Sequence, residues 1–223
     1  MKSTKVFFML LIVLTLSACN PPNKHPQLTS EKSPTSDSQP DNIVDELEIP
    51  VHETNVLLSF FMPNGSIADY LGEGNEFASY QSRTHWHNDN TVSIYEDNGG
   101  TTLLRTYRIN KNAIVLIHEE GEYYEEYNPT DDELNVLQPI STYLQLPLEE
   151  GTSFDDWHIR NVNQTIETPY RTFNHVILLE KTEESGNINR RYIVKDYGEI
   201  KREYLMNDGE SENVVSSTLE NVK

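Results

Sequence analysis

From about Val51 onward, apolar residues recur at every second position in run after run, and this period of two is what most limits how the chain can fold. Thr91–Glu96 reads TVSIYE and puts Val92 and Ile94 on one face. Leu104–Ile109 and Ala113–His118 (AIVLIH) follow, separated by the turn Asn110-Lys111-Asn112. Asn98-Gly99-Gly100 supplies a turn whose residues tolerate positive φ. Phe173–Lys181 runs into Gly186-Asn187 and returns as Arg191–Lys195; Tyr197–Leu205 and Val214–Leu219 add two more runs. Val56–Phe61 (VLLSFF) reads as the first strand, and Met62–Phe77 as a long glycine-bearing loop.

About ten strands at short, regular spacing predict an all-β domain of antiparallel meanders, forming a curved sheet, a sandwich or an open barrel. The runs fall into two meanders, 76–127 and 157–219. Between them, Thr130 with Glu133 three residues on has the form of a helix-capping box, so one short helix is expected near 130–138.

The N-terminus has a different logic. Lys2 and Lys5 precede an apolar run, Val6–Leu16, of about 11 residues, too short for a spanning helix of about 20. The run ends in Leu16-Ser17-Ala18-Cys19, which resembles the bacterial lipobox at every position. That resemblance implies cleavage before Cys19 and two acyl chains on its sulfur, the usual minimum for stable anchoring. Residues 1–18 are then a lipoprotein signal peptide, and the chain sits on the extracytoplasmic face of the cell membrane. Cys19 is the only cysteine, so the remainder can hold no disulfide, no thiol nucleophile and no cysteine zinc site.

From Asn20 to Glu48 the sequence is rich in proline and polar residues, with Leu28 its only aliphatic side chain before Ile43. Such a stretch cannot bury enough surface to fold. Residues 19–48 therefore read as a lipidated tether reaching roughly 30 Å on average, and 49–223 as one β-rich domain.

Several stretches of that domain resemble a pattern in uncharacterised lipoproteins of Bacillus-type Gram-positive bacteria. They are LPLEEGTSFDDWHIRNV (146–162), ETPYRTFNHVILLEK (167–181) and YIVKDYGEIKREYL (192–205), with GEGNEFASY (72–80), NGGT (98–101) and VVSSTLENV (214–222) in keeping. Tyr170 departs from the glycine usual at its corner, and no glycine precedes Asp196-Tyr197-Gly198. The resemblance implies class and location and carries no activity.

The charge is −19. Removing the leader takes away two of the 17 basic residues and none of the 36 acidic ones, deepening it to about −21. That excludes nucleic acid as a partner and adsorption to anionic lipid. The expected partners are the membrane, through the anchor, and an unknown envelope protein, wall component or small ligand.

His85 and His87 in THWH lie two apart, so a strand puts both on one face, as half of a zinc or copper site needs. The third ligand would come from His118, His158 or His175. The same spacing fits an ordinary polar face with Trp86 turned inward. In HEEGEYYEEYN (118–128), Glu122 and Glu125 could hold a cation, although a hairpin at Gly121 with a solvated acidic edge explains the composition equally. Glu73 and Glu76 could rim a pocket in the 62–77 loop. No G-x-S-x-G, S-x-x-K or HExxH occurs, and no cofactor is expected. The expected function is non-enzymatic binding at the cell envelope. The alternative is an envelope enzyme or metal-binding lipoprotein using His85 and His87.

Cys19→Ser should abolish membrane association, leaving a soluble or unprocessed chain, because no other segment is apolar enough to hold it. Fractionation followed by mass determination of the N-terminus checks this; a cleaved variant chain that still pellets with membranes would contradict it.

Overall fold

In a computed structural model of the protein, the alternating runs become twelve antiparallel strands of one sheet. Residues 55–207 and 212–223 are described, all within the compact unit Val51–Lys223. The expected signal peptide (1–18), Cys19 and the expected tether (19–48) lie outside the described residues.

The strands are β1 (Ile67–Glu73), β2 (Tyr80–Asn88), β3 (Thr91–Asp97), β4 (Thr102–Ile109), β5 (Ala113–Glu120), β6 (Ser141–Gln145), β7 (Ser153–Phe154), β8 (Trp157–Glu167), β9 (Thr172–Thr182), β10 (Ile188–Val194), β11 (Gly198–Asn207) and β12 (Glu212–Val222). Their order in the sheet is β6-β5-β4-β3-β2-β1-β12-β11-β10-β9-β8-β7. The sheet curls into a nearly closed barrel, the barrel alternative among the expected forms. At its seam the backbone N–H of Thr142 on β6 donates to the Asp155 carboxylate beside β7. A side chain thus bridges the two edge strands, whose backbones do not pair with each other.

The two expected meanders are halves of this single sheet. The strand that joins them is β1, paired with β2 on one side and β12 on the other. It occupies residues expected to be loop. Ala68 and Tyr70 alternate inward along it, and Gly72 continues the row where a Cβ would fall 2.1 Å from the Ser79 backbone nitrogen. Glycine there is a packing requirement, and Gly74, at φ +81°, starts the turn to β2.

Val56–Phe60 is a single 3₁₀ turn, not a strand. Asn55 caps it by accepting from the Leu57 N–H at 3.0 Å, and the Ser59 hydroxyl donates to the Val56 carbonyl at 2.7 Å. Residues three apart eclipse in a 3₁₀ helix, so Leu57 and Phe60 enter the core together. They are 0% and 1% exposed. There they join Ile109, Ile114, Leu144, Ile159, Leu179 and Ile193. A second apolar cluster gathers Phe173, Val176, Tyr192, Val194, Ile200 and Leu219. Phe173 is buried, whereas Trp157 is half-buried.

The expected short helix is α1 (Asp131–Val136). Thr130 and Glu133 form its reciprocal capping box. Residues 121–130 do not return as a strand after β5. They lie back along the outside of the sheet, where the Tyr123 N–H donates to the Thr102 carbonyl and the Tyr127 N–H to the Tyr95 hydroxyl. Leu134 packs on Val115 and Ile117, and the Arg108 guanidinium donates to the carbonyls of Leu134 and Leu137 at the helix's end.

Candidate functional site

Within the barrel, strands that are not neighbours meet through charge. Arg202 on β11 donates to Glu96 on β3 in a two-pronged pair, Nη2 to Oε1 at 2.7 Å and Nη1 to Oε2 at 3.0 Å. The Arg202 Nε also donates to Glu199. Arg105 Nη1 stands 3.1 Å from Glu96 Oε2 while its Nε donates to Glu119 at 2.7 Å. The Arg202 guanidinium lies over the Tyr80 ring, centroid distance 4.7 Å, and Tyr80 stacks on Tyr70 at 4.3 Å. The Tyr70 hydroxyl donates to the Glu199 carbonyl at 2.8 Å. Each buried charge thus has an opposite charge and hydrogen bonds, as burial demands.

These groups, apart from Glu119, wall a cavity of about 280 Å³, just below the range of about 300–1,000 Å³ usual for small-molecule sites. Its lining also includes Phe61, Tyr107, Tyr143, Trp157 and Arg191. Arg191 projects between aromatic rings, its guanidinium 4.4 Å from the Trp157 centroid and 5.5 Å from that of Tyr143.

Burial alone would raise the Glu96 carboxyl above the usual carboxylate range. Arg202, by charge and hydrogen bond, and then Arg105 and Arg191 outweigh it and hold the group at about 2. In the tyrosines burial is the larger influence, and the same arginines oppose it without outweighing it. Tyr107 is pushed up to about 12, and Tyr70, Tyr80 and Tyr143 are also raised, so all four present neutral hydroxyls.

The residues singled out from sequence lie elsewhere. His85 and His87 share the outer face of β2, rings 4.7 Å apart and edge-on, while Trp86 turns toward the core and donates from its indole to the Met62 carbonyl. His87 Nε2 is 2.7 Å from the Ser93 hydroxyl, which lies 2.7 Å from that of Thr106. Tyr127 covers this patch, edge-on to His87 and stacked on His118 at 4.9 Å. His118 Nε2 is 3.4 Å from Glu120, yet it is buried without a hydrogen bond among the described residues. His158 and His175 are exposed on β8 and β9. Among the described residues no group of three or more His, Cys, Asp or Glu side chains is placed to hold a metal ion. Glu73, Glu76, Glu122 and Glu125 are all exposed and outside the cavity lining.

The charged residues of the lining escaped the sequence reading, although their signal is present. Glu96 is in phase with Val92 and Ile94, Arg105 with Tyr107 and Ile109, and Arg191 with Ile193. A charge in the apolar phase of a strand points into the core, where it needs a partner.

No protein-family model matches the chain, and no curated protein matches it in sequence. Two solved structures resemble it in shape. One is a protein from Bacteroides fragilis described as exported, with a YmcC-like fold; it is 13% identical, with a TM-score of 0.46 over 74% of this chain and 99% of that one. The other, from Parabacteroides distasonis, is described as a lipoprotein; it is 11% identical, with a TM-score of 0.43 over 74% and 98%. At these values neither likeness carries a functional inference.

His87 and Glu96, the more buried of the groups shifted in the acid range, shape the acid response of stability. Burial, with His85 beside it and Asp131 opposing, lowers His87 from 6.5 to about 4. The unfolded chain therefore binds the extra proton first, and stability falls as pH drops from 6.5 to 4. Glu96, depressed from 4.5 to about 2, contributes stability that is complete above 4.5 and lost as pH falls toward 2. Urea midpoints measured against pH should show both limbs, and His87→Gln should flatten the one between 6.5 and 4. An unchanged slope in that variant would contradict the assignment.

Proposed function

We propose that the chain is a non-enzymatic lipoprotein, held by Cys19 on the extracytoplasmic face of the cell membrane, whose barrel binds a small ligand. The lipobox, the leader and the tether support the anchoring. The observation that carries the binding is the cavity itself: a partly open, aromatic and charged space within the curled sheet, with its polar groups already positioned. Preorganised polar groups cost little to order when a ligand arrives. The lining also argues against catalysis. Its central carboxylates are bound by guanidiniums, and a Glu96 held at about 2 is a weak proton acceptor.

Native mass spectrometry of the full chain, after exposure to an extract of envelope and growth medium, should show one small molecule retained per chain. Thr84, buried at the cavity wall, offers a way to fill the space. Thr84→Phe should lose the captured mass and Thr84→Val should keep it, both with melting temperatures near that of the parent. Equal capture by Thr84→Phe, or none by the parent chain, would overturn the proposal.

A further inference from the structure

We infer that the ligand of the cavity is a small monocarboxylate with a flat apolar body, and that Arg191 holds its carboxylate; this deepens the binding reading above and rests on it. The first observation is the sign of the lining. In a chain of net charge −19, the cavity is walled by four arginines, at 105, 190, 191 and 202, against three glutamates, at 96, 199 and 203. Among the lining residues positive charge exceeds negative by one, with Glu119 and Glu180 pairing Arg105 and Arg190 from outside the lining.

The second observation locates that excess. Arg202 is committed through Nε, Nη1 and Nη2 to Glu199 and Glu96. Arg105 is held by Glu96 and Glu119, and Arg190 donates to Glu180 at 3.0 Å. Arg191 differs. Its closest carboxylate oxygen is Glu199 Oε2, at 3.6 Å from Nε, and its guanidinium makes no hydrogen bond among the described residues. Its side chain keeps 32% of its surface open. It is nevertheless fixed in place, because Trp157 and Tyr143 flank the guanidinium. Stacking on aromatic faces satisfies the cation's charge and leaves the in-plane N–H groups unused.

Those N–H groups form a planar fork that fits a carboxylate with two parallel hydrogen bonds. One guanidinium that no carboxylate binds by a hydrogen bond suits one carboxylate. A phosphate dianion would set its second charge against Glu96 and Glu199. Glu199 can release Arg191 without becoming unpaired, since its other oxygen stays with Arg202. Trp157, Tyr143, Tyr107 and Phe61 form the flat walls around the fork, and the volume of about 280 Å³ limits the body to a small ring or short chain.

The test is a titration of the full chain with benzoate, followed by tryptophan emission, because Trp157 lies against Arg191. Benzyl alcohol, with the same ring and no charge, and inorganic phosphate serve as comparators. Benzoate should bind one per chain, with both comparators weaker by about tenfold or more, the loss expected for a charge-assisted hydrogen-bonded pair. Arg191→Met should weaken benzoate by a similar factor and leave benzyl alcohol unchanged. Arg191→Lys, which keeps the cation but not the fork, should fall between. Equal binding of benzoate and benzyl alcohol, with no effect of Arg191→Met, would overturn the carboxylate assignment and leave the cavity as a ligand site. So would failure of both compounds to bind a chain that still captures a mass from the envelope extract. Failure of both, with no captured mass, would overturn the cavity reading as well.

Discussion

The pairing of Glu96 with Arg202 is the constraint on which the barrel depends. β3 and β11 are separated in the sheet by β2, β1 and β12. At about 4.8 Å per strand, a flat sheet would hold them roughly 19 Å apart. The two side chains instead meet at 2.7 Å, so the sheet must curl until its faces confront each other. A buried ion pair seldom stabilises a fold more than apolar residues of the same volume, but it is severely penalised if separated. Its effect here is on shape: in a flatter sheet the Glu96 carboxylate and its two guanidiniums could not reach one another.

The interior divides accordingly. Leu57 and Phe60 on the 3₁₀ turn pack with Ile109, Ile114, Leu144 and Ile193 to make an ordinary apolar core. Beside it lies the ion-pair network, where guanidiniums and tyrosine rings are too bulky and too directional to fill space completely. The cavity is what remains between them. Arg191 reaches this space because its strand places it in phase with Ile193, facing inward, and because aromatic rings flank it while its carboxylate neighbour, Glu199, makes no hydrogen bond to it. Structural charges that fix the barrel and the charge available to a ligand thus belong to one network, with Glu199 in contact with both.

Most of the strands were legible because one face of each is buried and the side-chain period is two. The failures have physical causes. VLLSFF is apolar at almost every position, so its period is undefined, and the Asn55 cap decides for a 3₁₀ turn. In 62–77, three glycines and a proline suggested a loop, yet Gly72 is a strand residue whose missing Cβ admits the chain of Ser79. Tyr123 and Tyr127 in the acidic stretch are spent covering the outer face of β2–β5, a tertiary role with no local pattern. The candidate ligand site was the least legible part. The residue types that stand out in the sequence, the histidines and clustered glutamates, lie on exposed or outer surfaces. The informative feature was an ordinary Glu or Arg in the wrong phase, and its partner was more than 100 positions away for Glu96 and Arg202.

A double-mutant cycle on Glu96→Gln and Arg202→Met, read by urea unfolding at pH 7, tests the central claim most directly. If the pair holds the barrel, the single changes should each be strongly destabilising and the double change much less than their sum, with a coupling of about 1.5 kcal/mol or more. Arg202 keeps 34% of its side-chain surface open, which tempers the expected size. Additive effects, within about 0.5 kcal/mol, would show that the curl of the sheet does not rest on this pair.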